Sequence, residues 1–578
     1  MTSKVKLLSM VMAAMLAVSA LSACSSNKDQ NASSSSPSAS TSANESASGT
    51  DTASIDPLAK IDDPITLTTV RRTLQSTKYK DGQSAESNPW INFLKDQGVN
   101  ILYNWMADAS QFENQMNVTI ASGDIPDILP QITGSQANTL IKGDQLMDMK
   151  PYLDKYLSDE AKSVLYGDGG TLMNSTVTSD GKQYLLPLTA SEIRADIKGL
   201  WIRKDWLDKL HLSVPTTAEE FEKVAEAFTT QDPDGNGKPD TYGFGLSGKD
   251  NLILDWGGAD GVFEMFHAQP GPWWDNSLFY EKDESGNIIW SGSKPGVKQA
   301  LSLLQTMYKK GELAKDFGTI DAGGKLAQDL TGEKVGMFMG RWWQALWPLP
   351  DLKTKDPKSE WIVVNMPSGD GKPTQPYGYR PGNVYVAVSK NMKNPEAFVK
   401  MINWYVEKVY GPNADTNNFA STDPNNVGSW TSSAPFVIND PFKLSRDYTA
   451  VSTALKAKDP SKLNTEQKQY YDDVQKFEQD PSYVVGWSAW QNYSGADGTA
   501  GKHYFEDNKE SDVLKNAFFS VPNEKMVTTI PMYKKMAEEM ITKIIYGQAS
   551  VDDWDNLVND WNKLAGNDIL KDIQANAK

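Results

Sequence analysis

Cysteine is nearly absent from this chain, since Cys24 is the only one among 578 residues. No disulfide can therefore form within the chain. Histidine is also rare, with only His211, His267 and His503, and the HExxH, GxSxG and P-loop motifs are missing. Close carboxylate pairs suited to glycoside hydrolysis are inevitable among 74 Asp and Glu residues, so they carry no signal. The sequence gives little support to catalysis.

Positive charge is scarce as well, and the formal net charge is −17. Removing residues 1–23, which contain two lysines and no acidic residue, leaves −19. Such an acidic chain argues against nucleic acid or an anionic lipid surface as a partner, although acidity also simply favours solubility.

Long apolar runs are lacking, and the N-terminal run from Leu7 to Leu21 is about 15 residues long. A membrane-spanning helix needs roughly 20 residues, so residues 1–23, with Lys4 and Lys6 ahead of the run, are typical of a secretory signal peptide. Residues 25–54 are rich in Ser, Ala, Thr and Asn. They offer little to bury, so we predict a disordered tether over residues 24–57.

The remaining body is longer than a single hydrophobic core usually extends, which favours two domains. Residues 64–74 are typical of a strand, residues 88–100 of a helix and residues 101–106 of a second strand. A connection of this length implies parallel strands, and hence an α/β fold. Residues 108–122 then show helical spacing. In this order of elements, ligands bind beyond the carboxyl ends of the strands.

The segment QDPDGNGKPDTYGF, residues 231–244, spaces acidic and amide side chains in the way that wraps Ca²⁺. A helix with Thr217 and Glu220 in capping-box spacing precedes it, but a strand or loop follows it. An EF-hand needs a helix on both sides and a closing Glu where this chain has Gly243, so that motif is excluded. A metal-free turn of Asx and Gly residues is the alternative.

Seven segments, in this order along the chain, together resemble the extracellular solute-binding proteins of ABC importers. The resemblance is to the carbohydrate-binding, maltose-binding-protein-like family and its long Gram-positive lipoprotein branch. It spans nearly all of residues 60–578. The segments are ASGDIPDIL (121–129), DGKQYLLPL (180–188), LWIRKDWLDKL (200–210), DPDGNGKPDTYGF (232–244), GEKVGMFMGRWW (332–343), KNPEAFVKMINWY (393–405) and IIYGQASVDDWDNLVNDW (544–561).

The resemblance implies an α/β, two-lobed periplasmic-binding-protein-like fold with hinge-crossing strands and a central ligand cleft. By similarity the strands cross near residues 188–200 and 376–384. The expected lobes are residues 58–188 plus 384–440 and residues 189–383 plus 441–578.

The sequence Leu21-Ser22-Ala23-Cys24 resembles a bacterial lipobox, which implies that Cys24 carries the lipid, such as palmitate. A cleavage site that happens to precede a buried cysteine is the alternative. We therefore expect a monomer anchored by lipid to the outer face of the cell membrane, with the transmembrane subunits of an ABC permease as its partner.

A sugar needs aromatic planes beside charged or amide groups on loops. Tryptophan is abundant, with 18 residues, many of them in Gly- and Pro-rich segments. By resemblance, Trp342 or Trp343 is the best candidate for stacking in the second lobe. The other candidates in that lobe and at its second crossing are Trp256, Trp273, Trp274, Tyr379, Arg380, Trp487 and Trp490. Those in the first lobe are Arg71, Arg72, Asp127 and Gln131.

The expected function is capture of an oligosaccharide for an ABC importer. A secreted carbohydrate-active enzyme and a binding protein for a peptide or other non-sugar solute are the alternatives. The resemblance also implies a structural Ca²⁺ that fixes a helix end. Its ligands would be the side chains of Asp232, Asp234, Asn236 and Asp240 with the carbonyl of Lys238.

Overall fold

The structure of the protein is a computed structural model. The described residues are 56–73, 79, 82–188, 192, 194, 197–250, 252–253, 255–272, 277–378, 384–411, 414–419, 434–518 and 521–576. The predicted signal peptide, Cys24 and almost all of the predicted tether lie outside them, as do Trp273, Trp274, Tyr379 and Arg380. No helix of the described part is both long and apolar enough to cross a membrane.

Thirteen short strands are distributed over several sheets of the described chain. They are β1 (Ile65–Thr73), β2 (Val99–Asp108), β3 (Ile128–Thr133), β4 (Leu185–Leu186), β5 (Gly199–Arg203), β6 (Tyr242–Gly245), β7 (Tyr280–Lys282), β8 (Ile288–Trp290), β9 (Val335–Gly340), β10 (Trp361–Val364), β11 (Tyr377–Gly378), β12 (Val384–Val388) and β13 (Leu514–Lys515).

The helices account for most of the remaining ordered structure. They are α1 (Pro89–Asp96), α2 (Ala109–Ser122), α3 (Gly134–Lys142), α4 (Lys150–Tyr156), α5 (Asp159–Leu165), α6 (Thr171–Asn174), α7 (Lys204–Lys209), α8 (Ala218–Thr230), α9 (Asp260–Met265), α10 (Gly296–Lys310), α11 (Ala327–Thr331), α12 (Leu349–Lys355), α13 (Pro395–Val409), α14 (Thr416–Phe419), α15 (Lys443–Ala457), α16 (Thr465–Gln479), α17 (Val484–Tyr493), α18 (Ala500–Lys502), α19 (Glu524–Ile545), α20 (Asp553–Trp561) and α21 (Asn567–Asn576).

Strands β1 and β2 pair in parallel, as the strand–helix–strand order at the start of the body predicted. The largest sheet has the order β10-β5-β9-β6, in which β6 and β9 are parallel while β5 is antiparallel to both of its neighbours. A third sheet has β12 between β3 and β4, both antiparallel to it. The largest sheet is therefore mixed, and only part of the strand pairing in the described chain is parallel.

Two groups of hydrophobic clusters divide the buried side chains by position in the chain. One group takes its members from Leu67 to Leu188 and from Tyr385 to Ile438. The other takes them from Ile197 to Met366 and from Tyr448 to Ile573. Each group therefore combines residues that are far apart in sequence, as happens when a chain leaves a core and later returns to it.

Helix boundaries follow local capping chemistry. The Thr217 side chain accepts a hydrogen bond from the Glu220 amide at 3.2 Å and so caps α8, as predicted. Glu220 reaches back one residue further than a standard capping box requires, because its carboxylate accepts from the amide and the hydroxyl of Thr216 at 2.8 and 2.7 Å. Helix α19 begins at Glu524, where the Asn523 side chain accepts a hydrogen bond from the Met526 amide at 2.9 Å.

Asn403, on α13, connects three segments of the first group of clusters. Its side chain is 1% exposed, donates to the carbonyls of Pro57 and Tyr156 at 3.0 and 2.8 Å, and accepts from the Ser158 amide at 2.9 Å. This one amide therefore holds the start of the described chain and the turn between α4 and α5 against α13.

We expect Asn403→Ala to lower the free energy of unfolding by about 2 to 4 kcal/mol, because it takes the partner from one buried and two half-buried backbone groups. Urea denaturation would measure the loss. Asn556→Ala, on the exposed face of α20, is the matched control and should change the free energy by less than about 0.5 kcal/mol. Equal effects of the two substitutions would contradict this role for Asn403.

Candidate functional site

The candidate site lies at one edge of the largest sheet, where β9 ends and β5 begins. Gly340 pairs with Gly199 across these antiparallel strands, so Arg341 and Lys198 leave the sheet at the same edge. The loop after β6 reaches this edge too, because the Gly257 amide donates to the carbonyl of Met339 at 2.7 Å. Three segments that are distant in sequence therefore converge here.

Three tryptophan rings form a contiguous group at this edge. Trp256 is 5% exposed and meets the rings of Trp343 and Trp347 edge to face, with centroids 5.8 and 5.5 Å away. Trp343 and Trp347 lie nearly parallel, at 15° and 6.4 Å. Trp343 is half-buried, whereas Trp347 is 39% exposed. Trp256 thus serves as the anchor of the group, and the other two rings offer surface to a ligand.

The sequence prediction missed Trp347, although it lies only four residues from Trp343. The available signal was the same as for its neighbours, an aromatic residue in the short turn after a buried strand. Trp342, the other preferred candidate, is half-buried in the 3₁₀ turn Trp342–Ala345 and packs at the margin of the adjoining core.

Buried charges lie beside the tryptophan group. Arg341 Nε is 3.1 Å from Asp255 Oδ1, and both side chains are largely buried. Lys198 pairs with Asp260, the first residue of α9, and both of these are buried. Glu264 lies one turn further along α9, with Oε2 3.3 Å from the Tyr377 amide that donates to it. Apolar rings and polar groups thus meet at one edge, which is the chemistry that sugar binding requires.

Glu264 has a strongly perturbed acidity. Burial raises the pKa of its carboxyl to about 8, although the Lys198 ammonium and the hydrogen bond from Tyr377 both act to lower it. At neutral pH this carboxyl is therefore mostly protonated, and it can donate as well as accept hydrogen bonds.

The structure separates the two tryptophans predicted on the later helix. Trp487, on α17, is 3% exposed and belongs to the core. Its ring therefore packs against core side chains and does not offer a surface on which a sugar could stack. Trp490 is half-buried and packs against Phe477, with centroids 5.9 Å apart. Helix α17 packs against the 3₁₀ turn at Trp342–Ala345.

The four residues predicted in the first lobe also differ in their surroundings. Arg71 is buried, whereas Arg72 is exposed, because successive side chains of β1 point to opposite faces. Asp127 has a structural partner, since its Oδ2 accepts from the amide and the hydroxyl of Thr68, both at 2.8 Å. Gln131 lies half-buried on β3.

The predicted calcium loop gathers its acidic side chains around one amide. Asn236 Nδ2 donates to Asp234 and also to Asp240 Oδ1, the latter at 3.1 Å, and the Gly237 amide donates to the Asp232 carboxylate. The pKa of Asp234 is raised, chiefly by burial and also by the nearby Asp240 and Asp232 charges. Within the described ranges, no group of three or more His, Cys, Asp or Glu side chains is arranged to hold a metal ion.

Residues 92–410 match the family described as bacterial extracellular solute-binding protein. Three curated proteins are similar in sequence. The polygalacturonan/rhamnogalacturonan-binding protein YtcQ of Bacillus subtilis is 27% identical over 56% of this chain and 59% of its own length. Lipoprotein LipO of the same species is 26% identical over 58% and 63%, respectively. The fructooligosaccharide substrate-binding protein FusA of Streptococcus pneumoniae is 27% identical over 38% and 40%.

The chain thus spans about three fifths of the length of the first two relatives and less of the third. Solved structures match over nearly the whole chain. An extracellular solute-binding protein from Bifidobacterium longum subsp. infantis gives a TM-score of 0.62 at 17% identity, covering 89% of this chain and 98% of its own. A FusA EF-hand mutant in complex with fructo-nystose, from S. pneumoniae, gives 0.58 at 18% identity, covering 88% and 98%. The fold is the two-lobed α/β fold of periplasmic binding proteins.

The acidity of Glu264 predicts a pH dependence of stability. Because its pKa in the folded protein lies above the ordinary value of 4.5, its favourable contribution is present below about pH 4.5 and is lost as the pH rises to about 8. We expect Glu264→Gln, which keeps the shape without the titration, to unfold at higher urea than the wild type at pH 8.5. The gain should be on the order of 3 to 5 kcal/mol, and the two proteins should be similar at pH 4.5.

Urea denaturation from pH 4.5 to 9 measures this difference. Glu219→Gln is the control, since Glu219 lies exposed on α8 and pairs with Lys223. Stability curves for Glu264→Gln and the wild type that stay parallel across this range would contradict the proposed protonation of Glu264.

Proposed function

This chain belongs to the family of bacterial extracellular solute-binding proteins, and from that premise we propose that it captures an oligosaccharide outside the cell and delivers it to an ABC importer. Two relatives support an oligosaccharide, one named for binding polygalacturonan and rhamnogalacturonan and the other for fructooligosaccharide. The main structural support is the exposed ring of Trp347 stacked on Trp343 beside the buried Arg341–Asp255 pair.

In this proposal the rings of Trp343 and Trp347 stack on the apolar face of a sugar. The polar rim of that sugar meets groups at the same edge of the sheet, which include Glu264 as a neutral hydrogen-bonding carboxyl. Trp256 contacts the other two rings edge to face and holds them in place. Trp342 and Trp490, both half-buried, are secondary candidates at the margin of the site.

The lobes in this proposal are residues 58–188 plus 384–440 and residues 189–383 plus 441–578. The two groups of hydrophobic clusters support these bounds, since the members of each group fall almost entirely within one lobe. The ligand would lie between the lobes and would be enclosed when they close about the crossing strands.

We also propose that the protein is a monomer attached to the outer face of the membrane through lipid on Cys24. The support is the lipobox-like sequence before Cys24, the absence of any other cysteine, and the similarity to lipoprotein LipO. The same family membership favours a binding protein over an enzyme, because solute-binding proteins release their ligand unchanged.

The loop at residues 232–240 has donors that suit Ca²⁺. Three carboxylates and one amide supply oxygen atoms, which are the ligands that Ca²⁺ prefers. The nearby charges of Asp240 and Asp232 contribute to the raised pKa of Asp234, and a bound cation would offset this repulsion. We propose that Asp232, Asp234, Asn236 and Asp240 hold the ion together with the Lys238 carbonyl. The Asn236 amide would have to present its oxygen in place of the nitrogen that now bonds to Asp234. The bound ion would supply charge neutralisation alone.

The role of the tryptophan group can be tested with Trp347→Ala. The substitution should weaken oligosaccharide binding about tenfold, because stacking on one ring contributes on the order of 1 to 1.5 kcal/mol. It should also lower the melting temperature of the unliganded protein, because the ring is only 39% exposed and packs against Trp256 and Trp343. Leu346→Ala, at the neighbouring exposed and non-aromatic residue, is the matched control for binding.

A panel of oligosaccharides, peptides and other small solutes, read out by thermal stabilisation, provides the ligand for this measurement. Stabilisation by peptides and by no sugar would contradict the carbohydrate proposal. Cleavage of a bound oligosaccharide would instead favour the enzyme.

Calcium should raise the melting temperature if the loop binds it. A ligand at one hundred times its dissociation constant adds about 2.7 kcal/mol to the free energy of unfolding. We therefore expect a chelator to lower the melting temperature by several degrees, and Asp234→Asn to remove the response to added Ca²⁺. Mg²⁺ at the same concentration is the control. A wild-type melt that is identical with chelator and with Ca²⁺ would contradict the proposal.

A further inference from the structure

Arg71 is a buried cation near the carboxyl end of β1. Its side chain is 4% exposed. Nη1 donates to the Tyr103 hydroxyl at 2.8 Å and to the carbonyl of Ala434 at 3.3 Å, and the guanidinium lies 5.5 Å from the centre of the Tyr103 ring. Nη2 is buried and has no hydrogen-bond partner among the described residues. A buried donor in this state marks a place that a water, an ion or a ligand group fills.

The other buried or half-buried arginines of the described chain each have a carboxylate. Arg203 donates to Asp205 through two nitrogens, at 2.8 and 2.6 Å. The remaining pairs are Arg194 with Glu192 and Arg341 with Asp255. Arg71 has neutral partners only, so within the described residues its charge is buried without an opposite charge. This arrangement is unfavourable unless an anion completes it.

The described groups around Arg71 would stabilise an anion, but none of them is itself an anion. Burial raises the pKa of Tyr103 even though the Arg71 charge acts to lower it, so the tyrosine stays neutral. Arg71 pairs in register with Met106 of β2, and α2 begins at Ala109, shortly after that residue. The N-terminal end of a 14-residue helix, with its partial positive charge, therefore lies near the same strand ends.

We propose that Arg71 receives a carboxylate of the ligand, which makes the substrate an acidic oligosaccharide containing uronic acid residues. The inference rests on the proposed function, because it assigns a substrate class to the same ligand. A neutral sugar could occupy Nη2 through a hydroxyl, but it would leave the buried charge uncompensated. A carboxylate both accepts the hydrogen bond from Nη2 and compensates the buried charge. Charge-assisted hydrogen bonds of this kind are stronger than neutral ones.

The position of Arg71 also fits a ligand contact. Ligands of α/β sheets bind beyond the carboxyl ends of parallel strands. Arg71 lies two residues before β1 ends at Thr73. Arg72, although adjacent in sequence, points to the opposite face and is exposed, so it does not share this environment. The anionic contact is therefore assigned to one arginine and not to the pair.

The test compares each acidic oligosaccharide with its carboxyl-reduced counterpart, which is neutral and otherwise identical. The probes are trigalacturonate and an alginate-derived trimannuronate, titrated into the purified protein by calorimetry. We expect at least one acid to bind ten times more tightly than its reduced partner, or better. In Arg71→Met this ratio should fall to near one, while the melting temperature of the unliganded protein should stay the same or rise, because an uncompensated charge is removed.

Arg203→Met is the matched control, because Arg203 is equally buried but is paired with Asp205. It should lower the melting temperature of the unliganded protein and keep the ratio of acid to neutral binding. If neither acid binds better than its reduced partner, the inference is overturned, while binding of any neutral oligosaccharide leaves the proposed function standing. A lower melting temperature in Arg71→Met with an unchanged ratio would show a structural role and also overturn the inference. Failure of all oligosaccharides would reject both.

Discussion

The candidate site depends on a pair of glycines that face each other at the edge of the largest sheet. A Cβ on Gly199 would lie 2.5 Å from the Val363 side chain and 2.6 Å from His503 Nε2, and a Cβ on Gly340 would lie 2.7 Å from Trp201. Neither position therefore has room for a side chain. Because neither glycine has a side chain, the rings of His503 and Trp201 pack directly on the backbone. The residues next to the paired glycines, Lys198 and Arg341, leave the sheet side by side.

The close packing at this edge also determines which groups are charged. His503, pressed against Gly199, is fully buried, and burial with the Lys502 charge lowers its pKa to about 3, so it is neutral at ordinary pH. Glu264 is shifted in the opposite direction for the same reason, since burial disfavours whichever form carries the charge. The charges that remain, on Lys198 and Arg341, are each matched by a carboxylate. The edge is thus nearly neutral in a strongly acidic chain.

Local signals in the sequence predicted the positions of helices and strands well, but they predicted strand pairing and side-chain exposure poorly. Alternation and helical spacing placed β1, β2, α2 and the cap of α8 to within a few residues, because these elements are specified by their own side chains. The pattern could not show that β5 runs antiparallel to its neighbours, since pairing depends on partners more than a hundred residues away. It also could not tell which of several tryptophans point inward. Trp487 is in the core, whereas Trp347 is exposed.

Net charge and ligand charge are separate questions in this protein. The formal charge of −17 arises largely from exposed carboxylates, whose field is screened beyond about 8 Å at physiological ionic strength. Such a surface disfavours a polyanion that must lie across it. A single carboxylate that reaches Arg71 leaves this field and meets an unscreened cation in a medium of low dielectric constant, where the interaction is much stronger than in water. An acidic chain can therefore select an acidic ligand, provided that the opposite charge is buried in the site.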